Sequence, residues 1–167
     1  MQIVIVEDRP WKMKKSIRML RRKGAEVKNI IFVTNHNGDD EAIKEQLREM
    51  EQELELEITP TDRYNFENTM DRFYEDKNNL FFCDLNLSGN RWMYFDDREN
   101  VRYAMKIKKR ERELKRIWFY TTAGESTNEQ INANFPNRNI SVDTVDEEQQ
   151  VILDEKHVEK IIDEYLQ

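Results

Sequence analysis

Four consecutive β-branched residues, Ile3-Val4-Ile5-Val6, stand near the start of the chain and run straight into Glu7-Asp8-Arg9-Pro10. A strand with one wet face alternates apolar and polar residues, whereas an unbroken apolar run suits a strand covered on both faces of a parallel sheet. Parallel neighbours cannot be joined by a tight turn and need helical crossovers, so the rest of such a chain has to alternate short apolar runs with longer amphipathic ones. It does. Residues 29–33, 55–59 (stopping at Pro60), 80–85, 117–121 and 140–145 read as further strands. Between them lie stripes of helical period: Met13, Ile17 and Leu20, closed by Gly24; Ile43, Leu47, Met50 and Leu54, after a turn at Asn37-Gly38; and Phe66, Met70 and Phe73. Residues 99–115 read as a helix, a short one is expected near 128–134, and a last one carries Val151, Val158, Ile161, Ile162 and Tyr165. The expectation is one α/β domain over residues 1–167. It is a three-layer α/β/α sandwich with a mainly parallel sheet, strand 1–6 lying centrally beside strand 80–85.

Composition narrows the function classes. Only 4 Gly and 3 Pro in 167 residues exclude low-complexity and many-turned all-β architectures. Charged residues reach 37%, with 27 Lys and Arg against 34 Asp and Glu, a net charge of −7. That balance argues against a chain-wide nucleic-acid or anionic-membrane footprint. The run Lys106, Lys108, Lys109, Arg110, Arg112, Lys115, Arg116 is broken by Glu111 and Glu113 and reads as a solvated helix face. A single cysteine, Cys83, allows no internal disulfide and no cysteine zinc cage, and on a buried strand it reads as a small core residue. His36 and His157 have no metal-ligand spacing and read as surface residues. The first apolar stretch is too short for a signal peptide or a membrane span, so a soluble cytoplasmic protein is expected.

In open parallel sheets, ligands bind at the carboxyl ends of the strands. Three of those ends carry polar groups: Glu7-Asp8 after the first strand, Asp84-Leu85-Asn86 at the end of strand 80–85, and Thr121-Thr122 after strand 117–121. If the strands are neighbours, carboxylates and a hydroxyl converge. Carboxylates crowded together repel one another, an arrangement that favours a hard divalent cation such as Mg²⁺ (or Mn²⁺). The bland reading is a helix cap at Asp8, ahead of Pro10.

Taken together, Glu7-Asp8, Asp84-Leu85-Asn86 and Thr122-Ala123 resemble the receiver domain of two-component response regulators, whose sheet is flavodoxin/CheY-like. The resemblance is densest over residues 3–10, 80–87 and 117–124. It implies that Glu7, Asp8 and Asp84 hold Mg²⁺, with Asn86 adding its backbone carbonyl. Asp84 then accepts a phosphoryl group from a histidine kinase or phosphotransfer protein, and Thr122 binds a phosphoryl oxygen. The protein would be a phosphoprotein of a phosphorelay, a phosphoryl-accepting regulator rather than a turnover enzyme. No separate output domain is expected, so the signal would leave through a downstream protein partner.

Two departures accompany the resemblance. The family places a Lys after its last strand, where it pairs with the phosphoryl group. Here Ser141-Val142-Asp143-Thr144-Val145-Asp146-Glu147 carries three acids and no Lys, and the family's aromatic switch residue on that strand is missing. Arg9 and Lys12, beside the acidic loop, are the candidate replacements. The strand and helix from residue 29 also form an extra unit whose place in the sheet the sequence does not give. Weak signalling from a phosphorylated Asp84 is the expectation, with a non-phosphorylated pseudo-receiver adaptor as the alternative. A Toprim-like Mg²⁺-dependent nucleic-acid enzyme also starts with a Glu after a hydrophobic strand, but it needs Asp-x-Asp where this chain has Asp84-x-Asn86. Finally, Trp92-Met93-Tyr94-Phe95 places large apolar groups in a loop. They either fold back on the core or leave Trp92, Tyr94 and Phe95 as a partner contact.

Overall fold

The computed structural model describes residues 1–34, 40–62, 64–84, 114–122, 129, 132, 133 and 135–166. Its centre is a six-stranded sheet of β1 (Gln2–Glu7), β2 (Glu26–Val33), β3 (Glu57–Thr61), β4 (Asn79–Asp84), β5 (Ile117–Tyr120) and β6 (Asn139–Ile140). The spatial order is β3-β2-β1-β4-β5-β6, and every neighbouring pair runs parallel. The expected sandwich is therefore present, with β1 central and β4 at its side. Removing β3 leaves 2-1-4-5-6, the flavodoxin-like order, so the strand in excess is the edge strand β3 outside β2, whereas the strand from residue 29, expected to be the extra one, pairs directly with β1.

Crossover handedness assigns the layers. The chain steps outward from β1 to β3, which puts α1 (Lys14–Arg22) and α2 (Glu41–Leu54) on one face. It then crosses back to β4 and proceeds the other way, so α3 (Phe66–Tyr74) covers the opposite face. The last helix, α4 (Glu155–Leu166), returns to the face of α1. Strand residues divide accordingly. Ile3, Ile5, Ile30, Phe82 and Trp118 pack toward α1, α2 and α4, whereas Val4, Val6, Ile31, Phe81, Cys83 and Phe119 pack toward α3 and Phe135. Both sides of β1 and β4 are dry, which is why their sequences show no alternation.

Local chemistry sets the ends of the elements. After α1 the chain closes a Schellman motif: Ala25 N–H donates to Leu20 O, Gly24 N–H to Arg21 O, and Gly24 sits at φ +88°. The Oδ1 of Asp40 accepts from Ala42 N–H at 3.0 Å and starts α2, which ends on Glu55 in a left-handed conformation. Arg116 closes α3 from a distance, donating to Tyr74 O (3.0 Å) and Asp76 O (2.8 Å) while lying over the Tyr74 ring. This residue of the basic run is thus a structural donor rather than part of a solvated face.

Several boundaries differ from the sequence reading. Helix 1 does not begin at Asp8: a 3-10 turn, Pro10–Met13, precedes α1, and Arg9 occupies the cap position without a side-chain bond. β3 runs through Pro60 because it is an edge strand, where one missing N–H is tolerated. The strand expected over 140–145 is two strands. β6 joins the main sheet, then β7 (Val142–Val145) leaves it and pairs antiparallel with β8 (Val151–Leu153). Val151 therefore belongs to a strand and not to the last helix. Asp146 makes the reversal, its Oδ1 accepting from Glu148 N–H (3.0 Å) and Gln150 N–H (2.9 Å), with Gln149 at φ 62°. The hairpin is tied to α1 by buried Ser16, whose Oγ donates to Val151 O (2.5 Å) and accepts from Leu153 N–H (3.3 Å). His157 is half-buried, and its Nδ1 accepts from Ser141 N–H at 3.2 Å. The Asn37-Gly38 turn, His36, Asn86, the loop with Trp92, Tyr94 and Phe95, and nearly all of the expected helix 99–115 lie outside the described residues.

Candidate metal centre

β1 is flanked by β2 on one side and β4 on the other, so the order of travel reverses between β1 and β4. Such a switch point opens a crevice at the carboxyl ends of the strands. Glu7 ends β1, Asp8 follows it, and Asp84 ends β4. One carboxylate oxygen from each of these three lies within 4.8 Å of the other two. Glu7 is 2% exposed, Asp84 8%, and the side chain of Asp8 7%.

The three acids are held in different ways. Glu7 is locked: its Oε1 accepts from the backbone N–H of Asp8 and of Arg9, both at 3.0 Å, and its Oε2 accepts from the Tyr120 hydroxyl at 2.7 Å. Those bonds turn the chain out of β1 into the loop and replace the helix cap expected at Asp8. Asp8 has the Arg9 guanidinium Nε at 3.9 Å, a long and partly exposed contact. Asp84 stands opposite Tyr120 in the β4–β5 register. Arg9, one of the two candidate replacements for the missing Lys, is thus beside the acidic group.

Burial raises the pKa of Glu7 well above the ordinary carboxylate range, helped by the charges of Asp84 and Asp8 and opposed by the Tyr120 hydrogen bond. Burial likewise raises Tyr120, with Glu7 and Asp84 pushing the same way, so its hydroxyl stays a donor. Cys83, one residue before Asp84, is buried, and desolvation pushes its thiol up, which leaves it an inert core residue as the sequence suggested.

The donor set fits a hard cation. All three groups offer oxygen, and an octahedral ion with ligands at ~2.1 Å spaces them about 3 Å apart in cis and about 4 Å in trans. The observed 4.8 Å limit needs little adjustment to reach either spacing. Glu7, Asp8 and Asp84 are the residues that would hold Mg²⁺ or Mn²⁺. Thr122 stands two residues past Tyr120, exposed at the neighbouring strand end.

The residue that sequence reasoning missed is Tyr120. Within Ile117-Trp118-Phe119-Tyr120 it reads as one more core aromatic. Its only signal was a polar tip at the carboxyl end of a strand, where binding sites form. Among the described residues, no helix is long and apolar enough to cross a membrane. The G-x-G-x-x-G fingerprint of dinucleotide-binding sheets is absent, Glu7-Asp8-Arg9-Pro10 standing where it would begin. Compared with known proteins, the chain matches no family model, no curated protein and no solved structure.

Proposed function

We propose that this chain is a receiver-like signalling protein of a two-component phosphorelay, accepting a phosphoryl group on Asp84 with the help of Mg²⁺ or Mn²⁺. The observation that carries this reading is the convergence of Glu7, Asp8 and Asp84 within 4.8 Å at the switch point of the sheet. The order and spacing of the acidic pair, Asp84-x-Asn86 and Thr122 along the chain support it further.

In this proposal a carboxylate oxygen of Asp84 attacks phosphorus. The bond to a donor histidine nitrogen breaks as the acyl phosphate forms, and the freed imidazole takes a proton from solvent. Bound at the centre, Mg²⁺ neutralises the crowded carboxylates and polarises a phosphoryl oxygen, as phosphoryl transfer requires. Glu7, Asp8 and Asp84 would hold the ion, and Thr122 would donate to a transferred oxygen. The donor is a histidine kinase or phosphotransfer protein, and output passes to a downstream protein partner, in the cytoplasm.

One observation favours the adaptor as second reading. Where the family has its Lys, the chain turns after the two residues of β6 into a hairpin carrying Asp143, Asp146 and Glu147. Beryllofluoride with Mg²⁺, followed by amide NMR on the full chain, separates the two. Shifts around Asp8 and Asp84 that disappear in Asp84→Asn support phosphoacceptance. No binding of the phosphoryl mimic supports the adaptor and overturns the phosphoacceptor reading.

A further inference from the structure

We propose that Tyr120 is a positioning residue of the acidic centre, its hydroxyl fixing the direction in which the Glu7 carboxylate would face a divalent cation. The inference rests on the metal-binding half of the reading above.

A carboxylate oxygen accepts two hydrogen bonds. Both places on Glu7 Oε1 are filled, by the Asp8 and Arg9 amides at 3.0 Å each. One place on Oε2 is filled by the Tyr120 hydroxyl at 2.7 Å. The Asp8 side chain also lies within hydrogen-bond reach of the Glu7 carboxyl, on the side a cation would occupy, and the direction of Oε2 is set by the Tyr120 bond. Tyr120 is well placed to set it. Its ring is 1% exposed within the apolar layer that holds Ile5 and Phe82, its strand is in register with Asp84, and its phenol has no long flexible stem. Hydrogen-bond partners of metal ligands orient the ligand, and their loss typically costs 10–100-fold in metal affinity. A tyrosine that merely satisfies its own buried hydroxyl predicts no such loss.

The test uses the full chain, with Mn²⁺ binding read by electron paramagnetic resonance of the free ion. A separate Mg²⁺ titration reads the ¹³Cζ resonance of Tyr120. Tyr120→Phe should weaken Mn²⁺ binding about tenfold or more. In the wild-type chain, the Cζ resonance should move with the same midpoint as the Asp8 amide. Mn²⁺ affinity in Tyr120→Phe within about twofold of wild type, against the tenfold expected of a lost orienting bond, overturns the inference. So does a Cζ resonance that ignores Mg²⁺. Should Tyr120→Phe fail to fold, the wild-type Cζ titration decides by itself. Retained Tyr120→Phe affinity with lost Asp84→Asn affinity removes only the role of Tyr120. Equal binding by wild type and Asp84→Asn, or none by either, removes the metal-binding reading and this inference with it.

Discussion

Replacing Asp84 by Asn should make the metal-free protein more stable, although it alters a buried residue. Glu7, Asp8 and Asp84 offer oxygens within 4.8 Å of one another. Two unit charges at that distance repel by about 3 kcal/mol at an effective dielectric constant near 20. The full figure is not realised, because burial and the neighbouring charges hold a proton on Glu7 above the pH at which an ordinary carboxylate loses it. Allowing for that proton, Asp84→Asn should gain about 2 kcal/mol at pH 7.5, or about 4–8 °C in melting temperature for a chain of this size. The sign with pH follows from the same proton. Folded Glu7 binds it more tightly than unfolded Glu7, so the contribution of Glu7 to metal-free stability is fully present below the ordinary carboxylate pKa of 4.5. It falls as pH rises from there through the raised folded value, with a slope of at most about 1.4 kcal/mol per pH unit. Thermal unfolding in chelator at several pH values between 4.5 and 8 measures both effects. The expected result is a wild-type melting temperature that declines across this range, with a shallower decline in Asp84→Asn. Adding Mg²⁺ should raise the wild-type value and leave the variant unchanged. An Asp84→Asn protein that melts at or below wild type at pH 7.5 in chelator would refute the electrostatic reasoning, since no crowding would then have been relieved.

Two further changes probe the scaffold. Ser16→Ala removes the hydroxyl shared by Val151 O and Leu153 N–H, and it should cost about 1–3 kcal/mol in denaturant unfolding. Amide exchange should quicken at Leu153 more than in β1, because the hairpin loses its tie to α1. Arg116→Ala leaves the carbonyls of Tyr74 and Asp76 without their donor and removes the cation over the Tyr74 ring, a loss of about 2 kcal/mol by chemical denaturation. Arg116→Lys should recover only part of it, since one ammonium cannot reproduce the fork.

Much of this protein is written locally. The β-branched run at Ile3 and the apolar run at Leu80 exceed what a half-wet strand needs, so two central strands covered on both sides follow from one-dimensional pattern. Central parallel neighbours put Glu7, Asp8 and Asp84 at one end of the sheet, and the structure brings them together. What the sequence could not decide depends on partners distant along the chain. Val151 lies seven residues, about two helical turns, before Val158, so it fits the stripe of α4; its antiparallel pairing with Val145 makes it a strand residue instead. Pro60 looks like a stop unless its strand is known to sit at the sheet edge, and the place of that strand outside β2 is a matter of packing order. Tyr120 is the clearest case. Its hydroxyl meets Glu7 across 113 residues of sequence, a contact that exists only because β4 lies between β1 and β5 and sets their register. Apolar periodicity reports which face of an element is dry, whereas the identity of the group across the sheet is set when the strands assemble.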